Sequence, residues 1–148
     1  MDETTNSAEK AFESGFNCAQ SVLTSFASQF DIDKDTLFRI SNGFGGGMGR
    51  KQEVCGAVSG AIMAISLVFG RGEIDSMDKQ QTTYRKVREL IDAFTKDFGT
   101  IQCKELLSGC NLLSDEGQKE FREKGLKSRC GSYVRRANEI AAELLSTE

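Results

Sequence analysis

The sequence predicts an all-α fold, a compact single-domain helical bundle of six to eight helices spanning residues 1–148. Three observations carry that expectation. Apolar residues recur at steps of three and four along most of the chain. No stretch sustains the apolar–polar alternation of a half-buried strand. The 148 residues suit one core, and no linker, repeat or low-complexity segment divides them.

The elements follow in order. Asn17, a good N-cap residue, opens a helix with Val22, Phe26 and Phe30 on one face. Leu37, Phe38 and Ile40 mark a short helix opening near Asp33. The glycine-rich stretch GFGGGMGRKQEVCGAVSGA, Gly43 to Ala61, comes next. It fails the dinucleotide fingerprint, because the sixth position is Met48 counted from Gly43 and Arg50 counted from Gly45, and no strand precedes it. It also fails the phosphate loop, which Arg50-Lys51-Gln52 does not complete. The glycines instead allow sharp turns and close backbone approach. Beyond Cys55, Gly56, Gly60 and Ala64 recur every four residues and form a small-residue ridge against which another helix packs. Tyr84, Val87, Ile91, Phe94 and Phe98 make the clearest helical stripe. Ser114 to Lys124 predicts a polar surface helix ending at Gly125, and Val134, Ala137, Ala141 and Leu144 mark the last stripe.

Composition excludes several classes. A net charge of −3 argues against a general nucleic-acid grip. There is no histidine, so Ser-His-Asp and Cys-His nucleophiles, haem attachment through CxxCH and mixed Cys/His zinc sites are all ruled out. The start, MDETTNSAEK, has no apolar core of a signal peptide, and the apolar run Val54 to Phe69 falls short of the roughly twenty residues a membrane span needs. The expectation is a cytoplasmic protein that contacts neither membrane nor nucleic acid. Five cysteines, an odd number, then point to reactive, metal-binding or buried thiols rather than a disulfide framework.

Four of the five fall at or near predicted helix starts: Cys18 after Asn17, Cys55 after the glycine loop, Cys103 after Thr100 and Cys130 after Ser128. A helix N-terminus stabilises an anion, so the expectation is thiols of depressed pKa, assisted by Arg129 at Cys130, Lys104 at Cys103, and Arg50 and Lys51 before Cys55. Each of the four also continues its helix's apolar stripe, which would bring the sulfurs together if the stripes share a core. Cys110, after Gly109, is read as packing, and Arg135 and Arg136 as solvated helix surface. Ser41 and Asn42 are capping types without an assigned role.

The segments GFNCAQSVL, GGGMGRKQEVCGAVSGAIM, FGTIQCKELLSG and KSRCGSYVRRANEIAAELL together resemble the "putative redox-active protein" family named for its C…GCAxxG…C…C pattern. The resemblance runs from about Ala11 to Leu145 and sets Cys18, Cys55, Cys103 and Cys130 on the four cysteine positions, leaving Cys110 outside. The middle motif departs from the written form: Val54 stands in place of its glycine, and Gly56 separates Cys55 from Ala57. The resemblance implies redox activity and an association with electron-transfer proteins carrying iron–sulfur or haem centres. Haem does not carry over to a chain without histidine.

The leading expectation is an electron-transfer centre in which Cys18, Cys55, Cys103 and Cys130 are catalytic residues and ligands of an iron–sulfur cluster, zinc being the redox-inert version. The loop Gly45 to Gly49 would close over that site. One alternative is metal-free thiol–disulfide exchange among the same four. A second is a non-catalytic helical interaction protein with buried structural cysteines. The expected partners are a redox protein or oxidoreductase and, through the Tyr84–Phe98 helix, a second copy in a homodimer.

Overall fold

The computed structural model describes residues 3–147. Among the described residues nine stretches carry α-helical hydrogen bonding: α1 (Glu3–Glu13), α2 (Cys18–Thr24), α3 (Lys34–Asn42), α4 (Gly45–Met48), α5 (Gly56–Phe69), α6 (Met77–Phe98), α7 (Cys103–Leu106), α8 (Asp115–Glu123) and α9 (Leu126–Leu145). A 3-10 turn covers Ala27–Gln29. α4 is a helix in name only, because Gly46 and Gly47 have φ of 65° and 66°; eight right-handed helices remain, the upper end of the expected range. Among the described residues β pairing is confined to one isolated antiparallel bridge, Val54 to Gln102.

Local chemistry sets several of these boundaries. Asn17 closes a capping box with Gln20 at the start of α2, Asp33 caps α3 through the Thr36 amide, and Ser114 caps α8 through the Gly117 amide. α6 stops at Gly99, which takes the left-handed conformation (φ 84°) that only glycine adopts without cost. α2 is shorter than its stripe suggests: it ends at Thr24, and Phe26 and Phe30 flank the 3-10 turn instead of extending the helix.

α5 is apolar nearly all round and therefore lies at the centre, packed against α2, α6 and α9. The Gly56–Gly60–Ala64 ridge faces α2. A Cβ on Gly60 would stand 2.6 Å from the Ala19 carbonyl oxygen, and one on Gly56 3.2 Å from the Cys18 Cβ. α2 is thus held closer to α5 than side chains would permit. α6 presents Thr83, Lys86, Leu90 and Phe94 inward, so its buried face is turned slightly from the predicted one and Tyr84 is exposed. Lys86 reaches across the core, and its Nζ donates to the Leu144 and Thr147 carbonyls at 3.0 Å each, capping the end of α9. Buried Asn138 on α9 accepts from Thr5 of α1 (2.8 Å) and donates to Ser25 after α2 (2.6 Å). Phe98 of α6 meets Tyr133 of α9 edge to face, centroids 4.9 Å apart. No helix among the described residues is long and apolar enough to cross a membrane.

Candidate functional site

Three local devices place the four thiols. The capping box fixes Cys18 as the first residue of α2: the Gln20 amide donates to Asn17 Oδ1 (2.9 Å) and the Asn17 amide to Gln20 Oε1 (3.1 Å). Asn17 Nδ2 also donates to the Asn42 carbonyl at 2.9 Å, which ties this helix start to the end of α3, just before the glycine turn. Asn42 thus acts through its carbonyl, while Ser41 is buried and donates to the Leu37 carbonyl within its own helix.

Cys55 and Cys103 are placed together. The Cys55 amide donates to Ile101 O and the Cys103 amide to Glu53 O, both at 2.7 Å, on either side of the Val54–Gln102 bridge. Two helix starts are locked side by side: Cys55 is the N-cap of α5 and Cys103 the first residue of α7. Thr100 is not the N-cap of α7. Its hydroxyl accepts from the Gln102 amide, and Gln102 takes the cap position.

Cys130 corrects the sequence reading more strongly. α9 starts at Leu126 after Gly125, whose φ of 62° turns the chain, so Ser128 lies within the helix and Cys130 sits a full turn inside it. What stands beside this thiol is a fixed cation rather than a row of free amides. Arg129 Nη1 donates to Leu106 O (3.1 Å) and Ser108 Oγ (3.0 Å), and Tyr133 Oη donates to the same Leu106 carbonyl at 2.8 Å.

All four thiols line one cavity of about 500 Å³, together with Gly45, Gly46, Gly47, Gly49, Arg50 and Tyr133. The glycine loop does border the site, by an unusual route. Five successive residues, Gly46 to Arg50, have left-handed φ between 61° and 69°, and Met48 and Arg50 are not glycine. A left-handed turn costs about 1–2 kcal/mol per residue that carries a Cβ, and such strain is characteristic of functional sites. Gly47 shows what it achieves: a Cβ there would meet the Cys103 Cβ at 2.7 Å and the Gln52 Cα at 2.8 Å. Gln52, itself at φ 59° and buried, donates from Nε2 to Cys110 O (2.6 Å) and accepts the Leu112 amide (2.9 Å), which anchors the chain behind the cavity.

The electrostatics overturn the expectation of four acidic thiols. Burial pushes Cys55 up to about 12, even though the Ala57 and Val58 amides at its helix start favour the anion. Burial, and then the neighbouring Cys130 sulfur, push Cys103 up to about 11. Cys18 is held well above the ordinary thiol value, first because it donates to the Cys130 sulfur and then by burial. Cys130 alone is lowered, by accepting from Cys18 and by the charge of Arg129. Helix starts favour thiolates only where the sulfur keeps some solvent, and Cys55 and Cys103 are buried.

All five cysteines are free. Cys110 is buried in a small satellite core with Leu107, Leu112 and Leu126, its Sγ donating to Gly117 O at 3.2 Å. Arg136 pairs with Asp97 and Arg135 with Glu9 on the surface. Among the described residues no group of three or more His, Cys, Asp or Glu side chains is gathered closely enough to hold a single metal ion. Tyr133 and Gln52 went unnoticed in the sequence. Tyr133 carries a weak signal, three residues after Cys130 on the same helix, whereas nothing in the local sequence announces Gln52.

A family model described as "Putative redox-active protein (C_GCAxxG_C_C)" matches residues 16–144. An uncharacterized protein of Archaeoglobus fulgidus is 26% identical over 139 residues, covering 89% of this chain and 86% of its own. No solved structure matches the chain. A match over residues 16–144, nearly the whole length, makes this chain a member of the C_GCAxxG_C_C redox-active family.

Proposed function

We propose that this protein transfers electrons through a centre held by Cys18, Cys55, Cys103 and Cys130, with an iron–sulfur cluster as the carrier. The observation that carries the reading is the convergence of four thiols, from four separate helical segments, on one cavity. The donor set fits the group, since iron–sulfur clusters are held by cysteine thiolates. Gly47, where a Cβ would meet Cys103, keeps the cavity wall backbone-thin beside one of those donors.

When bound, a cluster supplies a one-electron couple. The protein supplies the rest. Cys55 and Cys103 are held by the Val54–Gln102 bridge, and Cys18 by its capping box. Burial keeps water from Cys55 and Cys103, and Arg129 offsets negative charge at Cys130. The left-handed turn Gly46–Arg50 forms the wall through which a redox partner protein would approach.

The test is anaerobic purification from iron-replete cells, followed by a visible spectrum and iron, sulfide and zinc analysis. Absorbance between roughly 400 and 460 nm with equal iron and sulfide supports the cluster. Cys→Ser at each of the four positions then abolishes it, and Cys110→Ser does not. Zinc without colour, or a colourless protein that stays metal-free after reconstitution with iron and sulfide, overturns this reading.

A further inference from the structure

The cavity offers more than thiols. Its volume of about 500 Å³ lies within the range of sites for small organic molecules, about 300–1,000 Å³, whose walls are mainly apolar with a few polar groups. Leu112 and Phe121 form such a wall. Leu112 is buried, and Phe121 of α8 packs half-buried against the small core that contains it. Gln118 Nε2 donates to the Leu112 carbonyl at 2.6 Å and holds α8 to this wall. Among the described residues no carboxylate lines the cavity, and Arg50 is its one Lys or Arg side chain.

Arg50 stands there against the preference of its own backbone. Its φ is 69°, and the left-handed region costs a residue with a Cβ about 1–2 kcal/mol. Its stem lies over Gly46: a Cβ on that glycine would stand 2.7 Å from Arg50 Cγ and 3.9 Å from Leu112 Cδ1. The bare face of Gly46 thus seats the arginine stem beside the apolar wall. The Arg50 side chain is exposed, and among the described residues its guanidinium has no hydrogen-bond or ion-pair partner. A guanidinium fork matches a carboxylate, and an aromatic wall matches a ring. One cation suits a single negative charge.

We propose that this part of the cavity binds a small aromatic carboxylate, whose anionic group pairs with Arg50 and whose ring lies against Leu112 and Phe121. The site goes beyond the proposed electron-transfer centre: it shares the cavity but uses none of the four thiols and no iron.

The probe is 2-naphthoate, titrated calorimetrically into full-length, reduced, metal-free protein whose fold is checked by circular dichroism. Wild-type protein should bind one equivalent, and should bind the neutral 2-naphthamide about tenfold more weakly. Arg50→Gln should lose about tenfold in naphthoate affinity and leave naphthamide unchanged. Phe121→Ala should weaken both ligands. Arg88→Gln, an exposed arginine of α6 outside the cavity, should change neither. A naphthoate Kd weaker than about 1 mM, equal affinity for the two ligands, or undiminished naphthoate binding by folded Arg50→Gln or Phe121→Ala would overturn the proposal. If the variants do not fold, the comparison of the two ligands on wild-type protein decides alone. Iron and sulfide are measured on reconstituted protein without naphthoate, so the site and the cluster can fail separately.

Discussion

Gly60 lies so close to Ala19 that a side-chain carbon on the glycine would stand 2.6 Å from the alanine carbonyl oxygen. This contact sets the spacing of α5 and α2, and hence the distance between Cys55 at the start of one helix and Cys18 at the start of the other. Gly60→Ala should therefore act in two ways. Forcing a methyl into a packed helix crossing costs about 1–3 kcal/mol, read as a lower urea midpoint. The same shift moves Cys18 away from Cys55, so the variant should also bind less iron per chain after reconstitution with iron and sulfide. Replacing Gly131, whose Cβ would meet only Phe12 ring carbons at 3.8 Å or more, should do neither.

The raised thiols predict an alkaline stability limit for the reduced, metal-free protein. Cys55 ionises near 12 in the fold, against an ordinary value of 9.0. Below pH 9 both folded and unfolded states keep the proton, and stability is insensitive to this group. Between pH 9 and 12 the unfolded chain loses the proton while the folded one holds it, so rising pH favours unfolding by up to about 1.4 kcal/mol per pH unit. Cys103 adds a smaller loss over pH 9 to 11. Urea titrations from pH 7 to 11 should show a plateau and then a decline. Cys55→Ala should make the decline shallower; an unchanged slope would mean that this thiol is not kept protonated by burial.

Lys86 makes a prediction confined to the scaffold. It is fully buried, it caps the last carbonyls of α9, and its Nζ sits 4.3 Å from the Phe69 ring centroid. Lys86→Met keeps most of the volume but removes the ammonium donor from both carbonyls, leaving Leu144 O only the Thr147 hydroxyl, a loss of about 1–3 kcal/mol. Thermal melts should show that drop. Thiol reactivity should not change, because the cysteine cavity does not include Lys86.

Much of this was legible in the sequence, and the failures share a cause. Asn17, Asp33 and Ser114 were readable as caps because a side-chain oxygen that accepts a helix-start amide is a local property. The Gly56–Gly60–Ala64 ridge and the four pattern cysteines were readable because spacing on a helix face follows from period alone. The start of α9 was not, since Gly125 caps through its backbone and leaves no side-chain mark. Lys86 hid the true inward face of α6, because a buried cation looks like a surface one until its partners arrive from the chain's far end. The thiol pKa shifts were misread for the same reason: a helix start is visible in sequence, but the burial that outweighs it at Cys55 is a property of the assembled core.

The left-handed turn offers the sharpest separation of strain from fit. Gly47 and Gly49 have nearly the same φ, 66° and 61°, so alanine at either position meets a similar backbone penalty of about 1–2 kcal/mol. Their surroundings differ. Around Gly49 no atom would come within 4 Å of a Cβ, whereas at Gly47 the new carbon would press on the Cys103 Cβ and the Gln52–Glu53 backbone at 2.7–2.9 Å. Gly49→Ala should lose stability and keep the site: the same iron content after reconstitution and the same thiol reactivity. Gly47→Ala should lose comparable or greater stability and also displace Cys103, lowering the iron bound per chain. If both variants behaved alike in iron content, the turn would serve only to reverse the chain, and its closeness to Cys103 would have no part in the centre.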